Sequence, residues 1–172
     1  MAKVDANGIQ IEYETFGDPG SPPLLLIIGL GGQLIFWDDD LCRQLAQRGH
    51  YVIRFDNRDI GLSSKLEEAD VPDLATQAYD RAFYPQGVAR QLVAILTQEN
   101  RKLALASLST PTLVIHGADD PLVPVEGGKN TAAAIPGAEL MIIDGMGHDL
   151  PHGGAWPQII DAVVDHTHKV DT

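Results

Sequence analysis

The sequence has little cysteine and little positive charge. Its single cysteine, Cys42, rules out an internal disulfide and therefore a small secreted scaffold built on disulfides. Twelve basic residues stand against 24 acidic ones, so the formal net charge is −12. Nucleic acid is not an expected partner, because phosphate binding needs a basic surface. We expect the acidic surface to promote solubility instead.

The sequence also lacks a long hydrophobic run. The longest apolar run begins at Leu24 and is interrupted by Gly29, whereas a membrane-spanning helix needs about 20 apolar residues. The first residues lack the apolar stretch behind a basic start that marks a signal peptide. These absences predict a cytoplasmic protein without a membrane partner.

The hydrophobic pattern of the first half predicts strands around one helix. Residues 3–16 alternate around an Asn-Gly pair, which predicts an antiparallel hairpin. The short apolar runs 24–28 and 51–56 predict strands buried on both faces. Between them, residues 38–49 begin with three aspartates and end at glycine, as helices do. This strand–helix–strand unit predicts a parallel crossover.

The second half continues the alternation of helices and strands. Its length and ordinary apolar content, 44%, fit one globular domain, residues 1–172. The fold class predicted is α/β, a doubly wound and mostly parallel sheet. The predicted elements are helices at 86–98, 100–108, 126–135 and from 155, with strands at 112–115 and 138–143.

Two polar loops follow the last two predicted strands. The loop 116–124 contains Asp119 and Asp120, and the loop 145–151 contains His148. Open α/β sheets place their sites at the carboxyl ends of strands, so an acid and a histidine would meet there. The carboxylate would orient the imidazole and stabilise its protonated form. Alternatively, the aspartates cap a helix or turn and the histidine is a surface residue.

A glycine-rich turn, residues 29–32, follows the first apolar run. Glycine lets the backbone approach a ligand with its amide N–H groups, which would form an anion or oxyanion site. Alternatively, the glycines only permit a tight turn. The G-x-G-x-x-G spacing of a dinucleotide site is absent.

Taken together, these motifs resemble the α/β-hydrolases, in particular the aclacinomycin methylesterase-like branch. The resemblance implies that Asp120 is the acid and His148 the base of a catalytic triad. It also implies that Leu30 supplies an oxyanion-hole N–H, with Gly29 and Gly31 beside it. The stretches that carry the resemblance are 17–19, 26–32, 54–63, 111–124 and 145–151.

The nucleophile of that family has no counterpart here. Such hydrolases carry a serine in a G-x-S-x-G elbow, and no such motif occurs in the sequence. Compared with the family, the chain lacks a central region, with a seam within residues 70–79. Ser63 and Ser64 follow a glycine and a predicted strand, so either is a candidate nucleophile. Alternatively, His148 activates water while backbone amides hold the oxyanion.

A metal site is a competing interpretation of the second loop. His148 and His152 are four residues apart and Asp149 is adjacent, a spacing that binds zinc on a helix. Pro151 disfavours a helix there, so we predict neither a metal nor another cofactor. We expect Cys42 to be a packing residue of the first helix.

The resemblance implies three parts of one domain: an amino-terminal half of the sheet (1–70), lid-like helices (80–109) and a carboxyl-terminal half (110–172). Without the central strands, the strands at 24–28 and 112–115 either pair directly or remain as edges. A homodimer formed by strand sharing or helix exchange would cover such edges, so we predict a homodimer.

The function predicted from these features is hydrolysis of small carboxylic esters. It would use Asp120, His148 and a backbone oxyanion hole, with an atypical or absent serine nucleophile. The alternative is a catalytically inactive remnant that acts as a dimeric binding protein.

Overall fold

The computed structural model describes residues 1–66, 85–97, 102–149 and 154–170. The predicted seam at residues 70–79 lies outside these residues. The chain divides into two compact units, 1–98 and 99–172. Among the described residues, no helix is long and apolar enough to cross a membrane.

The first unit contains a four-stranded sheet in the order β1-β2-β4-β3. The β1/β2 and β2/β4 pairs are antiparallel, and β3/β4 is parallel. Among the described residues of this unit, the α-helices are α1 and α2. The elements are β1 (Ala2–Ala6), β2 (Ile9–Phe16), β3 (Pro23–Leu26), α1 (Asp39–Gln47), β4 (Tyr51–Phe55) and α2 (Pro85–Leu96).

The hairpin and first crossover are confirmed. Asn7 and Gly8 between β1 and β2 have φ of 53° and 80°, the left-handed pair that a tight hairpin turn requires. The side chain of Asp38 caps α1 by accepting a hydrogen bond from the Asp40 N–H at 2.7 Å. Val52 of β4 is fully buried and belongs to the core of this unit.

The prediction that the first apolar run is a strand buried on both faces is wrong. The strand β3 ends at Leu26 and, among the described strands, pairs with β4 alone. Side chains alternate between the two faces of a strand. Leu24 is half-buried, whereas Leu25 is 52% exposed and Ile27, just beyond the strand, is 64% exposed.

The second unit contains a two-stranded parallel sheet, β5 and β6. Ile143, Met146, Ala155 and Ile159 form its core. The strands predicted at 24–28 and 112–115 thus belong to different sheets. The elements are α3 (Lys102–Ala106), β5 (Leu113–Gly117), α4 (Val125–Ala134), β6 (Glu139–Ile143) and α5 (Trp156–Val170).

Candidate active site

The loops after β5 and β6 are joined to each other. The Ala118 N–H donates to the Ile143 carbonyl at 2.9 Å, and the Asp119 N–H donates to the Met146 carbonyl at 3.1 Å. A third bond between the loops runs from the Gly145 N–H to the carboxylate of Asp119, also at 3.1 Å. Because these are mainly backbone bonds, they hold the two loops at a set distance.

Gly117, the last residue of β5, permits this close approach. A Cβ atom at this position would overlap the carbonyl oxygens of Met146 and Gly147. Only a residue without a side chain therefore fits between the two loops without a shift of the backbone.

Asp120 and His148 meet at the junction of these loops. The Nδ1 atom of His148 lies 2.9 Å from Oδ2 of Asp120. A carboxylate only accepts, so the imidazole donates from Nδ1. The sequence predicts that an acid and a histidine meet at the carboxyl ends of neighbouring strands, and these two side chains do meet there. Their roles as catalytic acid and base stay a prediction.

Backbone groups hold the carboxylate of Asp120. Its Oδ1 accepts hydrogen bonds from the Leu122 N–H at 2.8 Å and the Val123 N–H at 2.9 Å. Burial alone would raise the pKa of Asp120, but the bonds from Val123, His148 and Leu122 outweigh it and lower the pKa to about 2. Asp120 is therefore ionised at neutral pH.

The two members of the pair differ in exposure. The side chain of Asp120 is 6% exposed, whereas that of His148 is 45% exposed. Since Nδ1 is bonded to Asp120, Nε2 is the ring nitrogen of His148 that can exchange a proton with another molecule. A buried acid behind an accessible histidine is the arrangement used in general base catalysis.

A second histidine, His116, lies beside Asp120, and the sequence analysis missed it. Its Nε2 atom is 2.9 Å from the Val123 carbonyl oxygen and 3.6 Å from Oδ2 of Asp120. The signal in the sequence was its position, four residues before the acid at the end of the same strand.

Ser63 and Ser64 belong to the first unit and bind its sheet. The hydroxyl of Ser63 donates to the Asp56 carbonyl at 2.7 Å and accepts from the Glu12 N–H at 2.8 Å. Ser63 is only 3% exposed. The hydroxyl of Ser64 accepts from the Gln10 N–H at 2.8 Å. Both hydroxyls thus fasten this loop to β2, and their nucleophilic role stays a prediction.

The loop that precedes these serines is shaped by a buried carboxylate. Asp56 is 3% exposed and accepts hydrogen bonds from the Leu34 N–H at 2.7 Å and the Leu62 N–H at 2.8 Å. A Cβ atom at Gly61 would overlap this carboxylate. The stretch 54–63, which carries part of the family resemblance, therefore has a structural role in the first unit.

The glycine turn is covered in part by α2. Gly31 has φ of 70°, and its N–H donates to Oε1 of Gln91 at 2.9 Å. A Cβ atom at Gly31 would lie 3.2 Å from the Val88 side chain. Leu30, whose N–H is the predicted oxyanion donor, is 46% exposed.

An ion pair holds α2 in this position. Arg90 donates to the two carboxylate oxygens of Asp59 at 2.8 and 3.1 Å. Burial opposes ionisation of Asp59, but the bonds from Arg90 and the Leu66 N–H outweigh it and lower its pKa. Gly87 approaches the backbone of Asp59 so closely that a Cβ atom there would overlap it.

The alternative metal site and Cys42 remain to be located in the structure. No group of three or more His, Cys, Asp or Glu side chains in the described parts of the chain is arranged for a metal ion. His152, part of the alternative zinc site, lies outside those parts. Cys42 is fully buried, and this burial raises the pKa of its thiol to about 11, so it is a packing residue.

Comparison with known proteins finds similarity to one family and one fold. A family model described as alpha/beta hydrolase fold matches residues 71–155, a stretch that includes the Asp120–His148 pair. The chain superposes on an esterase from Thermogutta terrifontis with a TM-score of 0.80 at 18% sequence identity, covering 100% of both chains. A likeness at this identity establishes the fold.

Curated relatives match shorter stretches. A rhodomycin D methylesterase of Streptomyces sp. (strain C5) is 45% identical over 69 residues, which cover 38% of this chain and 23% of the relative. The rhodomycin D methylesterase of Streptomyces peucetius is 45% identical over 56 residues, covering 33% of this chain and 19% of the relative. The chain thus spans about a quarter or less of the length of these relatives. The predicted resemblance is confirmed.

Proposed function

We propose that this chain, which has the α/β-hydrolase fold, hydrolyses small carboxylic esters. The observation that carries the proposal is the 2.9 Å contact between Nδ1 of His148 and Oδ2 of Asp120. The names of the matching relatives, methylesterases, support an ester of a carboxylic acid as the substrate class. The mechanism requires no cofactor.

His148 is the general base in this mechanism. Asp120, ionised because its pKa is about 2, fixes the tautomer in which His148 carries its proton on Nδ1. Nε2 then accepts a proton from the nucleophile. The imidazolium that forms is stabilised by the carboxylate and returns the proton to the leaving alcohol.

We propose water as the nucleophile, because the hydrogen bonds of the two candidate serines disfavour a serine in this role. The Ser63 hydroxyl already donates to the Asp56 carbonyl and is buried, so its use as a nucleophile would cost a buried hydrogen bond. Ser64 is half-buried and therefore the more accessible of the two serines as an atypical nucleophile. Without a triad serine we expect slow turnover, since triad enzymes that lose one member retain about 10³–10⁴ over the uncatalysed reaction.

Backbone amides of the glycine turn, at Gly29, Leu30 and Gly31, form the proposed oxyanion site. The positive φ of Gly31 brings successive N–H groups of a turn toward one side, as in other anion-binding turns. Its own N–H is bonded to Gln91, so the Leu30 N–H is the principal donor of this proposal.

Hydrolysis of p-nitrophenyl acetate and butyrate tests the function. The wild type, His148→Ala and the double variant Ser63→Ala/Ser64→Ala would be compared. His168→Ala, a change at an exposed histidine of α5, is the matched control. We expect activity in the wild type and the control and its loss in His148→Ala. If the double serine variant is folded but inactive, water is not the nucleophile.

A wild type with no rate above buffer would contradict the enzyme proposal and favour the second candidate, a non-catalytic dimeric binding protein. The observation favouring that candidate concerns β3, which is terminal among the described strands of its sheet. Leu25 is 52% exposed and Ile27 beyond it is 64% exposed, and proteins usually cover apolar edge strands. Light scattering at micromolar concentration would report the mass. We expect the wild type to be a dimer and Leu25→Lys to be a monomer. A monomeric wild type would contradict the proposed dimer.

A further inference from the structure

We propose that His116 is a positioning residue of the candidate active site. It holds the turn that presents the Asp120 carboxylate to His148. This inference rests on the proposed esterase function only for the consequence in catalysis. The positioning itself follows from contacts within the second unit.

The first contact fixes the tautomer of His116. Its Nε2 atom lies 2.9 Å from the carbonyl oxygen of Val123. A carbonyl only accepts, so Nε2 carries a hydrogen and donates it. The side chain of His116 is 13% exposed, and a hydrogen bond of this kind keeps its strength when water is largely excluded.

Val123 connects this bond to the acid. Its N–H donates to Oδ1 of Asp120 at 2.9 Å while its carbonyl accepts from His116. Val123 is therefore hydrogen-bonded through both its N–H and its carbonyl, and these two bonds hold the turn from Asp120 to Val123. Because Oδ1 is occupied by backbone N–H groups, Oδ2 is the oxygen that remains to accept from His148 at 2.9 Å.

The imidazole ring of His116 is seated by α4. A Cβ atom on Gly128 would lie 2.8 Å from Nδ1 and 2.9 Å from both Cβ and Cγ of this ring. Gly128 is buried within the first turns of the helix. The missing side chain at this helical position is therefore what lets the ring reach the turn.

His116 also faces the acid itself. Its Nε2 atom is 3.6 Å from Oδ2 of Asp120, too long for a direct hydrogen bond. The ring is therefore close enough to interact electrostatically with the carboxylate, but its hydrogen-bond partner is the Val123 carbonyl. This geometry assigns the two histidines different roles: His148 exchanges protons, and His116 holds the turn.

Two substitutions separate a positioning role from mere space filling. In His116→Gln, the side-chain amide nitrogen can replace Nε2 as the donor to Val123. In His116→Leu, the volume is largely kept but no donor remains. We expect kcat for p-nitrophenyl acetate to fall about 10- to 100-fold in His116→Leu, with little change in KM, and to be largely retained in His116→Gln.

A measurement that does not depend on activity accompanies the kinetics. The carboxyl carbon of Asp120 would be followed by NMR as the pH is lowered. We expect the wild type and His116→Gln to titrate near 2, and His116→Leu to titrate higher, because the Val123 N–H no longer holds Oδ1. If both variants titrate and turn over as the wild type does, or if the glutamine fails to rescue, the positioning role is wrong.

A third variant guards against unfolding of His116→Leu. Gly128→Ala keeps the histidine at position 116, but its methyl group would displace the imidazole ring from α4. As in His116→Leu, we expect Asp120 to titrate at a higher pH and kcat to fall. An unchanged Asp120 titration in folded Gly128→Ala would overturn the proposal. An inactive wild type with the expected titrations would contradict the esterase function and leave the positioning intact.

Discussion

The imidazole of His148 donates from Nδ1 to Oδ2 of Asp120 across 2.9 Å, although the two residues are 28 positions apart in the chain. Their contact is a product of the parallel pairing of β5 with β6. Parallel strands end at the same edge of the sheet, so the residues that follow them are brought together.

Replacement of Asp120 by asparagine is expected to lower esterase activity about 10²-fold, because the imidazole loses the charge that stabilises its protonated form. Residues that act as one unit have non-additive effects. The double variant Asp120→Asn/His148→Ala should therefore be no slower than His148→Ala alone. Asp149→Asn, at an exposed neighbouring carboxylate, is the matched control. Rates from initial hydrolysis of p-nitrophenyl acetate provide the comparison, and additive losses would argue against a coupled pair.

The stability of the fold should depend on pH through Asp120. Its pKa is lowered to about 2 from an ordinary value of 3.8, so the folded protein favours the ionised form more than the unfolded chain does. The stabilisation is therefore present above about pH 4 and is lost as the pH falls through 4 toward 2. Urea unfolding at several pH values would measure it. Asp120→Asn should show a smaller fall in the free energy of unfolding over this range, and an unchanged slope would contradict the assignment.

The part of the site that depends on strand order was predictable from sequence. Asp120 and His148 each follow a strand with a clear apolar pattern, and the Asn7-Gly8 turn follows from its two residue types alone. The contacts of Ser63, Gln91 and His116 were not predictable, because each joins residues whose proximity is set by packing. Leu25 illustrates a third case: an apolar run indicates a strand, but the burial of its side chains depends on whether other elements cover each face of the sheet.

Gly117→Ala is expected to destabilise the second unit by about 1–3 kcal/mol, the usual cost of forcing an extra group into a filled space. The new methyl group would meet the carbonyl oxygens of Met146 and Gly147 and push the two loops apart. Gly147→Ala is the matched control, since a Cβ atom there has no neighbour within 4 Å. Urea unfolding of both variants would test this. Equal stability of the two variants would mean that the close approach of the loops carries no cost.

Substitution of Gln91 should expose the amide of Gly31. In the structure this N–H donates to Oε1 of Gln91 at 2.9 Å, so it is not available to an oxyanion while the bond persists. Gln91→Ala removes the acceptor, and we expect faster hydrogen exchange of the Gly31 amide, together with a higher esterase rate if Gly31 contributes to the oxyanion site. Gln91→Glu keeps an acceptor at the same position and should preserve the protection. Exchange followed by NMR separates the two effects: faster exchange without a rate increase would leave the Leu30 N–H as the donor, and unchanged exchange in Gln91→Ala would show that this bond does not protect the amide.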